Sequence, residues 1–174
     1  MTDPEEIMWQ GRFITAKRRG KWEYVSRARG IKAAVILAVE DDHVLLVEQY
    51  RVPLGKACIE LPAGLIGDDS EGEDPLVAAG RELEEETGYR AERLDNLGEF
   101  YSSPGMVSES FTLVRASGLT KTGEGGGVEG EGITPLRVAL DELAEFIEAK
   151  RAGGYAIDVK LLILLGSDYL KLSA

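Results

Sequence analysis

Residues 73–89 read EDPLVAAGRELEEETGY. Asp74 followed by Pro75 is a typical helix start, because the Asp side chain accepts from free backbone N–H groups and proline suits the first turn. Gly88 is placed to end the helix near Thr87 through a left-handed cap. The stretch therefore predicts one helix, and a buried stripe at helical spacing is supplied by Leu76, Ala79 and Leu83.

The glutamates of this helix fall into two groups. Residues three and four apart share a face, so Glu82, Glu85 and Glu86 converge while Glu84 points elsewhere. Like charges at this spacing repel and destabilise the helix unless a cation lies between them. Carboxylates without nitrogen or sulfur ligands nearby suit a hard ion such as Mg²⁺, with Mn²⁺ as a substitute. Taken alone, the run is more typical of a solvated acidic face.

The flanking sequence alternates short strands with a few helices. Strands are predicted from β-branched and apolar runs bounded by turn residues, and we find no internal repeat. The sequence therefore predicts an α+β fold. The predicted strands cover residues 11–15, 22–27, 32–40, 44–50, 59–61, 98–101, 111–116 and 136–140, and two further helices cover 141–151 and 157–172.

Composition excludes several classes of function. The net charge of −11 disfavours binding to nucleic acid or anionic membranes, because phosphate groups would be repelled. The longest apolar run, 33–39, is too short to span a membrane, and the first residues do not resemble a signal peptide. One cysteine, Cys58, and one histidine, His43, exclude an internal disulfide and argue against a Cys/His zinc site. We expect a cytoplasmic protein.

The charge is divided between two regions of the chain. Residues 67–99 carry twelve carboxylates against three arginines, whereas residues 17–32 carry seven cationic side chains and a single acid, Glu23. An acidic cluster with a separate basic arm suggests a site for a divalent metal and a phosphorylated small molecule. Unequally decorated solvated surfaces are the alternative interpretation.

The spacing of the acidic segment resembles that of one enzyme family. Gly67, Glu73, the triplet 81–83, the pair 85–86 and Gly88 stand at the intervals of the Nudix box, with Tyr89 where the family usually has an aliphatic residue. The resemblance implies a Nudix-type α/β/α sandwich with a mixed sheet over residues 32–174. It also implies site residues: metal ligands Glu82, Glu86, Glu85 and the Ala63 carbonyl, and a structural ion pair between Arg81 and Glu73.

Further segments resemble the ADP-ribose and nucleotide-sugar branch of that family. The turn 60–64, which ends at Gly64, is common there, and Pro104 with Gly105 lies fifteen residues beyond Tyr89, as in ADP-ribose pyrophosphatases. The loop before Glu73 is three residues longer than is usual in that branch. In related enzymes a mobile glutamate loop follows, which at 125–132 makes Glu129 the candidate base and Glu131 a candidate ligand. A disordered linker is the other interpretation of that loop.

The basic N-terminal arm, residues 1–31, resembles the arm that reaches the partner's site in dimeric ADP-ribose pyrophosphatases. The resemblance implies a homodimer in which Trp22 stacks on adenine and Glu23 accepts from the base or ribose. Arg27 would contact phosphate or the terminal ribose, and Arg51 would bind phosphate. For Trp22, a core position in a small sheet is the alternative.

Together these features predict Mg²⁺-dependent hydrolysis of ADP-ribose to AMP and ribose 5-phosphate. Other nucleotide substrates remain open: GDP-mannose, another nucleotide sugar or a dinucleoside polyphosphate. A Nudix-like module that binds such a ligand without cleaving it is the third hypothesis, and the three converging glutamates argue against it.

Overall fold

A computed structural model describes residues 3–28, 31–67 and 72–170 of the chain. The fold is mixed α+β with a mixed sheet, as the sequence predicts. The strands are β1 (Glu5–Gln10), β2 (Ile14–Arg19), β3 (Trp22–Arg27), β4 (Lys32–Glu40), β5 (His43–Arg51), β6 (Lys56–Glu60), β7 (Ala63–Ile66), β8 (Tyr89–Tyr101), β9 (Ser110–Lys121), β10 (Thr134–Ala139) and β11 (Ala156–Ile157), and the helices are α1 (Pro75–Thr87), α2 (Leu143–Ala152) and α3 (Leu162–Leu170).

The larger sheet has the order β11-β6-β5-β4-β9-β8, with β10 paired to β5 and β7 paired to β4. The β4–β9 and β11–β6 pairs are parallel and the others are antiparallel. Successive residues of β4 point to opposite faces. Ala34 and Ile36 pack against Leu83 of α1, whereas Val35 belongs to a second cluster with Leu143 of α2. One sheet therefore lies between α1 on one face and α2 and α3 on the other.

The N-terminal strands form a separate antiparallel sheet in the order β1-β2-β3. It is joined to the larger body by a bridge in which the Val25 N–H donates to Met106 O and the Ser108 N–H donates to Val25 O, both at 2.9 Å. The sequence did not predict β1. The prediction that a strand starts at residue 11 was wrong, because the Gly11 N–H donates to Ile14 O and closes a turn there.

Several other predicted boundaries also change. β8 and β9 are each longer than predicted, and they pair along almost their whole length around a bulge near Gly98. The helix predicted to start at residue 157 starts at Leu162, because Asp158 accepts from the Lys160 N–H and begins a 3-10 turn first. Residues 171–172 of that predicted helix lie outside the described residues. No helix in the described part of the chain is long and apolar enough to cross a membrane.

Candidate active site

A polar cavity of about 540 Å³ lies between the C-terminal half of α1, the start of β7 and the ends of β5 and β6. Several elements distant in sequence meet there because β4 brings β5, β7 and β9 side by side. All five residues predicted for the metal site, two predicted to contact phosphate and two predicted to be structural line this cavity. They are Arg27, Arg51, Ala63, Gly64, Arg81, Glu82, Glu85, Glu86 and Glu131.

Helix α1 presents its carboxylates to this cavity from a largely buried position. Glu86 is 6% exposed, and its Oε2 accepts from the Ala63 N–H at 3.0 Å. Burial raises the pKa of Glu86 to about 8, and the neighbouring charges of Glu82 and Glu131 act in the same direction. Burial also raises the pKa of Glu82. Glu84 lies on another face, where it accepts from Arg90 at 2.8 Å.

The donor set is one that suits a hard divalent cation. Carboxylate oxygens converge on a water-accessible cavity, and a cation between them would offset the burial that raises the pKa values of Glu82 and Glu86. Within the described residues no three such side chains are already gathered into a finished metal cluster. Glu82 is instead turned towards Arg81 Nη1 at 2.9 Å, and Glu86 towards the Ala63 amide. A cation bound there would compete with these two contacts for the carboxylate oxygens.

The start of β7 packs closely against helix α1. A Cβ on Gly64 would lie 1.9 Å from Glu82 Cδ, so a side chain at this position would displace that carboxylate. The segment that follows is held by Glu73, whose Oε2 accepts from the Gly67 N–H at 3.0 Å. Arg81 Nε lies 3.7 Å from Glu73 Oε1, which ties that segment to α1. Residues 68–71 of the longer loop lie outside the described residues.

The glycine-rich segment 123–127 packs against the C-terminal end of α1. The N–H groups of Gly126 and Gly127 donate to Glu86 O and Glu85 O, both at 2.9 Å, so they satisfy carbonyls that a helix end leaves free. Gly88 has a φ of 75°, and a Cβ added to it would lie 2.3 Å from Gly123 O. This packing does not fit a disordered linker, because the segment caps the helix that carries the carboxylates.

The two loop glutamates occupy different places. Glu131 lines the cavity, its carboxylate accepts from the Val128 N–H at 2.9 Å, and its carbonyl accepts from Gln49 Nε2 at 3.1 Å. Glu129 is exposed and is not among the lining residues. The structure therefore brings Glu131, the predicted ligand, to the α1 carboxylates and leaves Glu129, the predicted base, outside.

The cations of the cavity are paired with carboxylates. Arg51 donates to Glu60 through Nε at 2.6 Å and Nη2 at 2.9 Å, and this pairing raises the pKa of Arg51. Arg27 pairs with Glu109. Four residues without a role predicted from the sequence also line the cavity: Glu60, Glu109, Gln49 and Lys160. Because alternate side chains of a strand share a face, the sequence indicates that Gln49 lies beside Arg51. Nothing in the sequence around Lys160 identifies it as a cavity residue.

The other predicted recognition residues lie elsewhere in the same chain. Trp22, Pro104 and Gly105 line a second cavity of about 510 Å³ together with Arg19 and Tyr24. Trp22 is 66% exposed, so the alternative of a core aromatic is wrong. Glu23 is exposed and lines neither cavity. One chain by itself therefore does not bring the predicted base-stacking residue to the carboxylates.

Comparison with known proteins places the fold and the acidic helix in a wider group. The family model described as "NUDIX domain" matches residues 28–157. The chain is 43% identical over 119 residues to a methanol dehydrogenase activator of Bacillus methanolicus, a match covering 68% of this chain and 63% of the relative. It is 37% identical over 157 residues to the GDP-mannose pyrophosphatase of Cronobacter sakazakii, covering 84% and 76%.

Two further matches point in the same direction. The chain is 36% identical over 120 residues to the ADP-ribose pyrophosphatase of Bacillus subtilis, covering 68% of this chain and 63% of that relative. The matched part thus spans less than two thirds of both Bacillus relatives. A crystal structure of an ADP compounds hydrolase superposes with a TM-score of 0.69 at 26% identity, covering 98% of this chain and 94% of that one.

Proposed function

The chain belongs to the Nudix family of hydrolases, and from this premise we propose that it hydrolyses the diphosphate linkage of ADP-ribose with Mg²⁺, releasing AMP and ribose 5-phosphate. One observation carries the proposal. The buried carboxylate of Glu86 and the half-buried carboxylate of Glu82 face a cavity that also presents Arg27 and Arg51. Acidic groups for a divalent cation and guanidinium groups for phosphate thus share one space.

The carboxylates and the arginines of the cavity have different tasks in this proposal. Glu82 and Glu86 hold the cation, with Glu85 and the Ala63 carbonyl as further donors. When bound, Mg²⁺ supplies charge neutralisation of the diphosphate and lowers the pKa of an attacking water. Arg51 and Arg27 orient the phosphates through charge-assisted hydrogen bonds.

Glu131 is the residue best placed to accept a proton from the attacking water or to act as another ligand. Its carboxylate lies on the cavity wall, while Glu129 is exposed outside it. The Gln49–Glu131 hydrogen bond and the two amides that bond the end of α1 hold this segment near the acids. We therefore give Glu131 precedence over Glu129 as the catalytic group of the loop.

A second substrate is favoured by a specific observation. The relative named GDP-mannose pyrophosphatase matches 84% of this chain, more than the relative named ADP-ribose pyrophosphatase matches. Both substrates carry the same diphosphate bridge, so the α1 carboxylates do not discriminate between them. Discrimination falls to the groups that contact the base and the sugar.

A homodimer is part of the proposal. Trp22, Pro104 and Gly105 line a cavity separate from the carboxylates within one chain. An arm from a second copy would bring base-stacking and catalytic residues together. Deleting residues 1–31 should then abolish the dimer, measured by light scattering, and weaken substrate affinity. A monomeric truncation with unchanged affinity would refute this arrangement. The cytoplasmic location remains a prediction from composition.

The experiment that tests the proposed activity is a substrate panel. Purified protein is incubated with ADP-ribose, GDP-mannose and diadenosine polyphosphates at equal concentration, in Mg²⁺ and in EDTA. We expect Mg²⁺-dependent release of AMP from ADP-ribose at the highest rate. Preference for GDP-mannose would retain the site and change the substrate, and tight binding without any product would favour the non-catalytic binding module.

A further inference from the structure

Glu60 and Arg51 form a two-point contact along one face of the sheet. In the β5–β6 pair, Arg51 is opposite Lys56, Gln49 opposite Cys58 and Val47 opposite Glu60. Side chains of directly opposed residues share a face, so all six lie on the same side of the sheet. Glu60 is thus two such pairs away from Arg51, and the arginine must extend along the strand to reach it.

The contact fixes the plane of the guanidinium. Nε donates to Glu60 Oε1 at 2.6 Å and Nη2 donates to Glu60 Oε2 at 2.9 Å. A bidentate arginine–carboxylate pair sets orientation as well as position, since both groups are planar. Arginine carries five N–H donors, so this pair leaves Nη1 and the second N–H of Nη2 for other partners.

The two members of the pair differ in solvent exposure. The Glu60 side chain is 7% exposed, whereas the Arg51 side chain is 41% exposed. Both residues line the carboxylate cavity. The glutamate is therefore the enclosed support and the arginine is the accessible group.

We propose that Glu60 is a positioning residue that holds the Arg51 guanidinium with its free edge towards the diphosphate. The inference rests on the proposed function for the identity of the ligand. An arginine that is already ordered loses less conformational freedom when it binds phosphate. Without Glu60, the guanidinium would have to be ordered by the ligand itself, at the expense of affinity. If Glu60 instead competed with phosphate for Arg51, its removal would strengthen binding, which is the opposite sign.

The test measures binding separately from turnover. Glu60→Gln is expected to raise the Kd for ADP-ribose, measured by calorimetry in EDTA, about tenfold, equivalent to about 1.4 kcal/mol. KM should rise by a similar factor while kcat changes less than about threefold, the pattern expected when ground-state and transition-state binding are lost together. Asp95→Asn is the matched control, because Asp95 is held by Arg93 through Nε and Nη2 on exposed β8, outside the cavity.

A double-variant comparison shows whether Glu60 acts through Arg51. In the Arg51→Met background, adding Glu60→Gln should leave Kd unchanged, because there is no guanidinium to position. If Glu60→Gln folds poorly, Glu60→Asp takes its place in the comparison. Aspartate keeps the charge but is shorter, so we expect its affinity to lie between those of wild type and Glu60→Gln. Unchanged or tighter binding by Glu60→Gln would overturn the proposal. So would an equal loss of affinity with and without Arg51.

The outcome for Glu60 is separable from the outcome for the activity. A wild-type protein that binds ADP-ribose without cleaving it refutes the hydrolase proposal, and the Kd comparison still decides the role of Glu60. A wild-type protein that neither binds nor cleaves ADP-ribose overturns both.

Discussion

Replacing Gly64 by alanine tests whether the Glu82 carboxylate occupies a working position. A Cβ at Gly64 would lie 1.9 Å from Glu82 Cδ and 2.1 Å from Oε1, whereas ordinary contacts begin near 3.4 Å. Gly64 does not have a positive φ, so alanine is tolerated by the backbone. The clash is with the end of a flexible side chain, and Glu82 can therefore move away without unfolding the turn.

The expected effect is large on activity and small on stability. A shift of about 1 Å at a catalytic group costs on the order of a hundredfold in rate, and here the carboxylate must retreat further than that. We predict that Gly64→Ala lowers kcat/KM for ADP-ribose by about a hundredfold or more. The melting temperature should fall by less than about 4 °C, the shift that corresponds to roughly 1 kcal/mol or less in a domain of this size.

The assay pairs initial rates in Mg²⁺ with thermal unfolding of the same samples. Gly166→Ala is the matched control, because a Cβ at this position in α3 meets open space. It should retain wild-type activity. A Gly64→Ala enzyme with activity within threefold of wild type would show that the Glu82 carboxylate is not needed where the structure places it, and would refute the argument.

Three other predictions follow from the same helix and loop. In metal-free protein, burial raises the pKa of Glu86 from 4.5 to about 8. The melting temperature should therefore fall as pH rises between these two values. Glu86→Gln or added Mg²⁺ should make the melting temperature depend less on pH. Gly88→Ala should lower the free energy of unfolding, measured in urea, by roughly 2–4 kcal/mol, because alanine would have to adopt a left-handed backbone and its Cβ would overlap Gly123. A loss below about 1 kcal/mol would argue against this packing. Glu131→Gln should lower kcat about a hundredfold and Glu129→Gln much less in steady-state assays, and the reverse order would restore Glu129 as the base.

Local signals account for what the sequence predicted well. The start of α1 at Pro75 depends on Asp74, whose side chain accepts from the Leu76 N–H at 2.7 Å, and its end depends on the left-handed Gly88. Both contacts are made within a few residues of the helix, so they are visible in the sequence. The convergence of Glu82 and Glu86 follows from helical periodicity alone.

Tertiary contacts account for what the sequence missed. Lys160 enters the cavity from the C-terminal part of the chain, and its Nζ pairs with Asp158 at 2.6 Å. In the structure this segment adjoins β6, where the Asp158 N–H donates to Ile59 O at 3.0 Å. Nothing in the local sequence pattern indicates this contact. Trp22 of the arm was predicted to stack on a base at the carboxylate site, but in one chain it lines a different cavity.

The most direct test of the central claim is the initial rate of ADP-ribose hydrolysis as a function of Mg²⁺ concentration. Wild type and Glu86→Gln are compared after EDTA treatment. We predict no turnover by wild type without the metal, saturable activation as Mg²⁺ is added, and little activation of Glu86→Gln at concentrations that saturate wild type. Equal turnover in EDTA, or equal activation of Glu86→Gln, would contradict the claim that the buried carboxylates of α1 hold the catalytic cation.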